Sequence, residues 1–175
     1  MPVRRLFLII CLGALLAGCK GAAQRACPPD CVSLNLNSAN LRRKDFSDAQ
    51  MMDANLSKAN LVGLNLSNAN LTGADLSGAD LRGASFAKSA LTGVNLSKAN
   101  LAGSTTNLSE VNLTWANLQE ANLSEANLRG ANLNGIKVKG TNFARADLTG
   151  ASILDVEWGD TNLAETIMPD GQKHR

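Results

Sequence analysis

From Leu34 to Asp170 the chain repeats one arrangement of apolar and polar positions every five residues. The stretch ANLSEANLRGANL, residues 121 to 133, shows it without interruption. Fourteen units run from Leu34 to Gly103, Ser104 and Thr105 break the register, and thirteen more run from Thr106 to Asp170. The central residue of the unit is Leu in 19 of 27 cases, and is otherwise Phe, Met, Ile, Val or Trp. Two residues earlier stands Ala in 15 units, and between them Asn or Asp in 20. Neither regular element accommodates this period. On an α-helix five residues advance about 500°, which scatters the leucines around the cylinder, and on a strand an odd step puts successive leucines on opposite faces. The pattern is consistent only if the chain turns a corner in every unit, so that each unit is one short side of a polygon with Leu and Ala pointing inward.

The unit resembles the A(D/N)LXX motif of the pentapeptide-repeat proteins over residues 34–170. The resemblance implies an all-β fold, a right-handed quadrilateral β-helix with four units per coil and about seven coils. At about 4.8 Å between stacked strands the rod is roughly 30 Å long. In that frame Leu fills the axis, Ala fits the narrow space beside it, and Asn or Asp suits the bends, where its side chain bonds local backbone. Stability then comes from stacking neighbouring coils, as in other solenoids.

Departures from the repeat carry the remaining information. Lys44 takes an inward position near the first coil and reads as a cap residue that snorkels to the open end. Ser104-Thr105 reads as a bulge at a corner, with a kink as the alternative. Phe46 and Phe86 lie two coils apart, with Leu66 between them, and form a packing ladder. Trp158 occupies a central position near the C-terminus and plugs the last coils. Trp115 stands at an outward position, the one large exposed aromatic expected and a candidate partner contact. Pro169-Asp170-Gly171 is a turn signal, and the polar tail of residues 171–175 covers the last edge, which would otherwise pair with other chains.

The first 18 residues read as an export signal. Arg4 and Arg5 precede an apolar run from Leu6 to Leu16 that is short for a membrane anchor and suits a signal peptide. LAGC, residues 16–19, resembles the lipobox of bacterial lipoproteins, which makes Cys19 the acylated residue and membrane lipid its partner. The RRLFL stretch has a partial twin-arginine look, and general secretion is the default route. An Asp after the modified cysteine favours inner-membrane retention in enterobacteria; Lys20 stands there instead, which favours the outer membrane. The expected location is the bacterial envelope, lipid-anchored and facing the periplasm. Residues 19–33 form a short tether that carries Cys27 and Cys31. In an exported protein such a pair reads as a disulfide clip at the entrance of the solenoid, with a redox or metal role as the alternative.

Charge and composition exclude more than they point to. The chain has 17 basic and 15 acidic side chains, and loss of Arg4 and Arg5 with the signal leaves it formally neutral. Residues 19–103 carry a net +3 and residues 104–175 a net −3. No nucleic-acid partner is expected from such a balance. The single His, His174, lies at the far end from the cysteines, and inward positions are apolar, so no enzyme, cofactor, metal or small-molecule substrate is expected. Several NLS and NLT triplets match glycosylation acceptors but are by-products of the repeat. The expected function is a rigid structural or protein-interaction module whose partner is another envelope protein or a second copy. Some pentapeptide-repeat proteins mimic DNA and bind gyrase; the neutral charge and export signal here argue against that alternative.

Overall fold

The computed structural model describes residues 31–174. Its organising contact is a parallel bridge between residues 20 apart: Asn35 with Asn55, Asn40 with Asn60, Asp45 with Asn65, Gln50 with Asn70, and onward through the chain. The backbone bonds run in both directions between coils. Leu36 N–H donates to Asn55 O at 2.7 Å, Asn55 N–H to Leu34 O at 2.8 Å, and Ser38 N–H to Ser57 O at 2.9 Å. Twenty residues are four units, so the chain closes a square each turn and forms a right-handed quadrilateral β-helix. Coils 1 to 7 are residues 34–53, 54–73, 74–93, 94–115, 116–135, 136–155 and 156–170, the last lacking its fourth side. Faces 1 to 4 begin with residues 34–38, 39–43, 44–48 and 49–53, and each repeats once per coil.

Each corner is a tight turn closed between one unit and the next. Ala39 N–H donates to Leu36 O at 3.0 Å, and the equivalent bond recurs at nearly every corner. The residue before the closing N–H has a positive φ, from Ser38 at 57° to Glu165 at 58°, the third-position requirement of a type II turn. Glycine is the unstrained choice there, and sixteen non-glycine residues nevertheless adopt positive φ. The left-handed conformation costs each of them roughly 1–2 kcal/mol, which the stacked bonds on both sides must outweigh. The Asn or Asp ahead of the turn supports it locally: Asn65 Oδ1 accepts from Ser67 N–H at 3.1 Å and Asp75 Oδ1 from Ser77 N–H at 3.0 Å.

The axis is filled as the repeat predicts. Leu56 through Leu148 and the alanines beside them are almost fully buried, with Phe46, Leu66 and Phe86 stacked on face 3. Each buried leucine contributes roughly 1.5–3 kcal/mol. Hydroxyls that replace the inward alanine are paired within the core. Thr141 Oγ1 donates to Leu118 O at 2.7 Å, Thr166 Oγ1 to Phe143 O at 2.7 Å, and Ser89 Oγ to Phe86 O at 2.6 Å. Lys44 is half-buried at its inward position in coil 1, where no full coil lies above it.

Stacking begins before Leu34. Cys31 N–H donates to Gln50 O at 2.7 Å and Ser33 N–H to Met52 O at 2.8 Å, so Cys31 takes the axis position one level above face 4 of coil 1.

Ser104-Thr105 is a bulge at the corner between faces 2 and 3, and the rod continues across it in phase. The bridge spacing becomes 22 for one coil, from Ser85 with Asn107 to Asn100 with Asn122, then returns to 20. Thr106 repairs the break. Its Oγ1 accepts from Gly83 N–H at 2.8 Å and donates to Ala102 O at 3.3 Å, replacing the coil-to-coil bond that the bulge interrupts.

The C-terminal end departs further from the repeat. Trp158 stands where a leucine belongs and packs edge-on against Phe143, with ring centroids 5.8 Å apart at 74°. The indole remains half-buried, packed against the core. Its unit, 156–160, stands off coil 6: the bridge that would join Lys137 to Glu157 is missing from the ladder, and the positive φ slips by one residue to Gly159. The tail then folds back as a hairpin. Ile167 pairs antiparallel with Lys173, and His174 N–H donates to Thr166 O at 2.7 Å. It covers the last edge through backbone bonds, as the turn signal implies.

Replacing Thr106 by Val removes the partner of the Gly83 N–H and Ala102 carbonyl in a part-buried corner and should lower stability by about 1 kcal/mol. Thr106→Ser retains the hydroxyl and should recover most of it. Denaturant midpoints of the two variants check this, and equal midpoints would remove the repair role.

Candidate functional site: the outer faces of the rod

With the axis closed, whatever recognises another molecule lies on the outside. Among the predicted site residues, Cys19 and Cys27 lie outside the described residues. Cys31 is buried and disulfide-bonded, and its pairing with Cys27 also falls outside them. Trp115 is 64% exposed. It occupies a turn position on face 4 at φ 61°, and its ring lies over Gly135 in the next coil, where an added Cβ would run into it.

Much of the outer surface is committed to holding coils together. Asparagine amides form ladders along the rod: Asn95 Nδ2 donates to Asp75 Oδ1 at 3.1 Å, Asn117 Nδ2 to Asn95 Oδ1 at 3.3 Å, and Asn142 Nδ2 to Asn122 Oδ1 at 3.2 Å. Charges pair between coils in the same way. Arg129 meets Asp147 at 3.0 Å, Arg145 meets Glu125 at 3.3 Å, and Lys88 meets Glu110 at 3.7 Å. All are solvent-exposed, and such pairs are individually weak.

Shallow grooves interrupt the faces among the described residues. The first, about 520 Å³, lies beside the bulge and gathers Arg42, Arg43, Arg82, Asp80 and Thr105. Arg82 grips Asp80 with both prongs, Nε to Oδ1 at 2.8 Å and Nη2 to Oδ2 at 2.7 Å. That hydrogen bonding holds the Asp80 carboxyl below its usual range. The second, about 370 Å³, opens where the Trp158 unit stands off coil 6, between Lys137, Lys139, Asp155 and Glu157. On face 3, burial pushes the Asp147 carboxyl upward, but the Thr149 hydroxyl and backbone N–H and then Arg129 outweigh it, so the net shift is downward. Neither groove sets a nucleophile beside a base, and among the described residues no group of three or more His, Cys, Asp or Glu side chains is placed to hold a metal ion. Among them, too, no helix is long and apolar enough to cross a membrane.

The faces are unequal. At outward positions faces 1, 2 and 3 each carry seven or eight charged side chains, of both signs. Face 4 carries two, Asp53 and Asp155. It also holds every exposed large hydrophobic of the described residues: Val32 at 42%, Trp115 at 64% and Leu154 at 66%. Sequence reasoning found Trp115 and missed the other two and the depletion of charge. The signal was present, because sorting the outward positions into four columns, with two residues allowed at the bulge, brings 32, 52, 72, 92, 114, 134 and 154 together.

Comparison with known proteins agrees with this geometry. The family described as pentapeptide repeats (8 copies) matches residues 30–68, 49–86, 65–103 and 106–143. The chain belongs to that family. A trypsin-treated variant of QnrB1, a plasmid-mediated fluoroquinolone resistance protein, is similar in fold, with TM-score 0.72, 20% identity, and 78% of this chain and 69% of that chain covered. A second trypsin-treated QnrB1 variant gives TM-score 0.64 and 21% identity over 78% of this chain and 70% of that chain. A pentapeptide repeat protein of the Arabidopsis thaliana thylakoid lumen is 32% identical over 82% of this chain and 78% of that chain, with TM-score 0.35. Among curated proteins none matches the sequence.

The Trp115–Gly135 contact is testable. In Gly135→Ala the new Cβ occupies the place of the indole at a φ of 64°, so the ring must leave and the backbone is strained. The expected result is a loss of about 1 kcal/mol with a red shift in Trp115 emission. Unchanged emission would mean that the ring does not rest there.

Proposed function

We propose that this pentapeptide-repeat protein is a non-enzymatic, rigid interaction module, tethered by lipid at Cys19 to the bacterial envelope and facing the periplasm. The observation that carries the reading is the division of labour in the coil. Inward positions are closed by Leu, Ala and paired hydroxyls, while outward positions form four continuous columns with no converging reactive groups among the described residues. Such a body offers surface rather than a pocket, and function is argued from the surface. The LAGC sequence, the basic start and the short apolar run support the anchor, and Lys20 favours the outer membrane. More than one acyl chain on Cys19 makes the attachment stable.

A structural role for the cysteine pair fits better than a redox one. The Cys31 side chain is 3% exposed and occupies an axis position, where exchange with an external thiol is sterically closed. DNA mimicry is not favoured. Faces 1 to 3 mix both signs of charge in ion pairs, face 4 is nearly uncharged, and neither supplies the continuous negative surface of a duplex. The likeness to QnrB1 is one of fold.

Cys19→Ser removes the acylation site. Fractionation of cells expressing it should move the protein from the membrane pellet to the soluble fraction. A variant that stays in the pellet as the parent does would overturn the anchor.

A further inference from the structure

We infer that the cleft between coil 6 and the Trp158 unit is a slot for an extended peptide, which adds one parallel strand to the coil 6 edge through its main chain and carries Asn or Gln at the bonded residue. This deepens the reading of the rod as an interaction module, on which it rests, and gives the chemistry of one partner.

Face 1 shows what the slot lacks. At each earlier level one residue closes two backbone bonds to the coil before it. Lys137 N–H donates to Ala116 O at 3.0 Å, and Lys137 O accepts from Leu118 N–H at 2.8 Å. One coil earlier Asn117 does the same, its N–H to Val94 O at 2.9 Å and its carbonyl from Leu96 N–H at 2.8 Å. Glu157 should continue the series onto Ile136 and Val138, and it does not. Among the described residues Ile136 O and Val138 N–H have no hydrogen-bond partner, nor do the N–H and carbonyl of Glu157. Ile136 and Val138 are only 4% and 2% exposed, and buried backbone groups are nearly always paired. Both residues line the cleft, whose volume of about 370 Å³ compares with roughly 30 Å³ for one water.

The gap is local and has bonds of its own. Ser152 bridges Asn132 before it, and Asn162 bridges Asn142 after it. Within it Asp160 Oδ1 accepts from Gly140 N–H at 2.9 Å. At the equivalent corner one coil earlier a backbone carbonyl takes that bond, Lys139 O from Glu120 N–H at 3.0 Å. The Trp158 unit is therefore held at both ends and braced in the middle, which distinguishes the cleft from a frayed terminus.

The orphaned groups specify the occupant. An acceptor at 136 and a donor at 138 are what one residue of a parallel strand satisfies with its own N–H and C=O. Addition of an extended peptide to an open sheet edge is a general mode of recognition. The residues before and after the bonded one face the other way, and bring a carbonyl and an N–H toward the N–H and carbonyl of Glu157. Three residues thus meet all four groups. The side chain of the bonded residue falls in the outward column between Lys137 and Glu157, neither of which forms an ion pair among the described residues. The ammonium only donates and the carboxylate only accepts, so a carboxamide, with one oxygen and one NH₂, complements both. A charged side chain would meet one like charge there.

Nuclear magnetic resonance on the isotope-labelled full-length protein in detergent micelles tests the slot and its occupant. In the free protein the Val138 amide should exchange with solvent about tenfold or more faster than the Leu118 amide, its equivalent one coil earlier. Equal protection of the two means a closed cleft and overturns the inference. The probe is the blocked tripeptide acetyl-Ala-Asn-Ala-amide, with an expected dissociation constant on the order of millimolar. It should shift the amides of Lys137 and Val138 and slow exchange at Val138. Methylating the Asn nitrogen removes the donor to Ile136 O and should weaken binding about tenfold or more. Methylating the first Ala nitrogen, which has no partner in the slot, should change little. Lys137→Met should weaken the Asn peptide several-fold and leave acetyl-Ala-Ala-Ala-amide unaffected, because only the carboxamide meets the ammonium. Unchanged binding of the Asn-methylated peptide, shifts confined to other amides, or an equal response of the Asn and Ala peptides to Lys137→Met each overturn the inference. So does a fast-exchanging Val138 with no peptide bound, which leaves the slot to water. If the peptide fails while Cys19→Ser still releases the chain, the slot falls and the anchored module stands.

Discussion

Everything in this rod depends on the backbone bonds that join a residue to the next coil, 19 or 21 positions along and 21 or 23 across the bulge. A single unit has too few residues to pair its own amides, and its corner leaves most of them pointing along the axis. Only an adjacent coil in register satisfies them, as Leu36 N–H does with Asn55 O and Asn55 N–H with Leu34 O. That requirement sets the twenty-residue return, and the return forces the five-residue word, because a square needs four equal sides. The leucine axis is a consequence as much as a cause. Once coils stack at about 4.8 Å, a single large apolar side chain per side fills the interior, and alanine is what fits next to it. The sixteen non-glycine residues held at positive φ show how strongly stacking dominates local preference.

The architecture was legible because one number, five, is incompatible with both regular elements and leaves corners as the remaining solution. The inward leucines, the face 3 ladder of Phe46, Leu66 and Phe86, and the exposure of Trp115 all follow from register alone. Other features were not legible for specific reasons. Thr106 looks like an ordinary substitution for alanine; its hydroxyl acquires a role only because the two preceding residues have pushed Ala102 away from Gly83. Trp158 reads as a plug, yet its unit stands off coil 6 and its corner, still closed from Thr161 N–H to Trp158 O, carries the positive φ at Gly159 instead of Asp160, a departure that residue type in register does not reveal. Cys31 sits five residues before Leu36 and so already occupied an axis position in the count, but a cysteine followed by Val-Ser lacks the leucine that marks the repeat.

The same economy limits chemistry. Catalysis needs unlike groups brought to one point from different parts of a chain. Here distant parts of the chain are brought together only in columns, so each position meets its own counterpart twenty residues away. The asparagine ladders and inter-coil ion pairs are the products of that rule: like stacks on like, or on a complementary charge. A column presents repetition along a line, which suits recognition of an extended surface and not of a compact reacting group. The grooves at the bulge and at Trp158 are where the rule is broken, and even there the groups are surface cations and carboxylates paired with each other or facing solvent.

Face 4 shows how a repeat can still acquire individuality. A column draws one residue from each coil, so its composition is read at intervals of twenty along the chain, and neighbouring residues in sequence serve different faces. Depleting one face of charge therefore requires the same choice at many separated positions, while the adjacent faces keep both signs. The bulge sharpens the point. Two extra residues that were not absorbed at a corner would rotate every later unit, and Trp115 and Leu154 would no longer share a face with Val32 and Met52. Because Thr106 restores the interrupted bonds, the phase survives, and a surface assembled from coils on both sides of the insertion remains one continuous face.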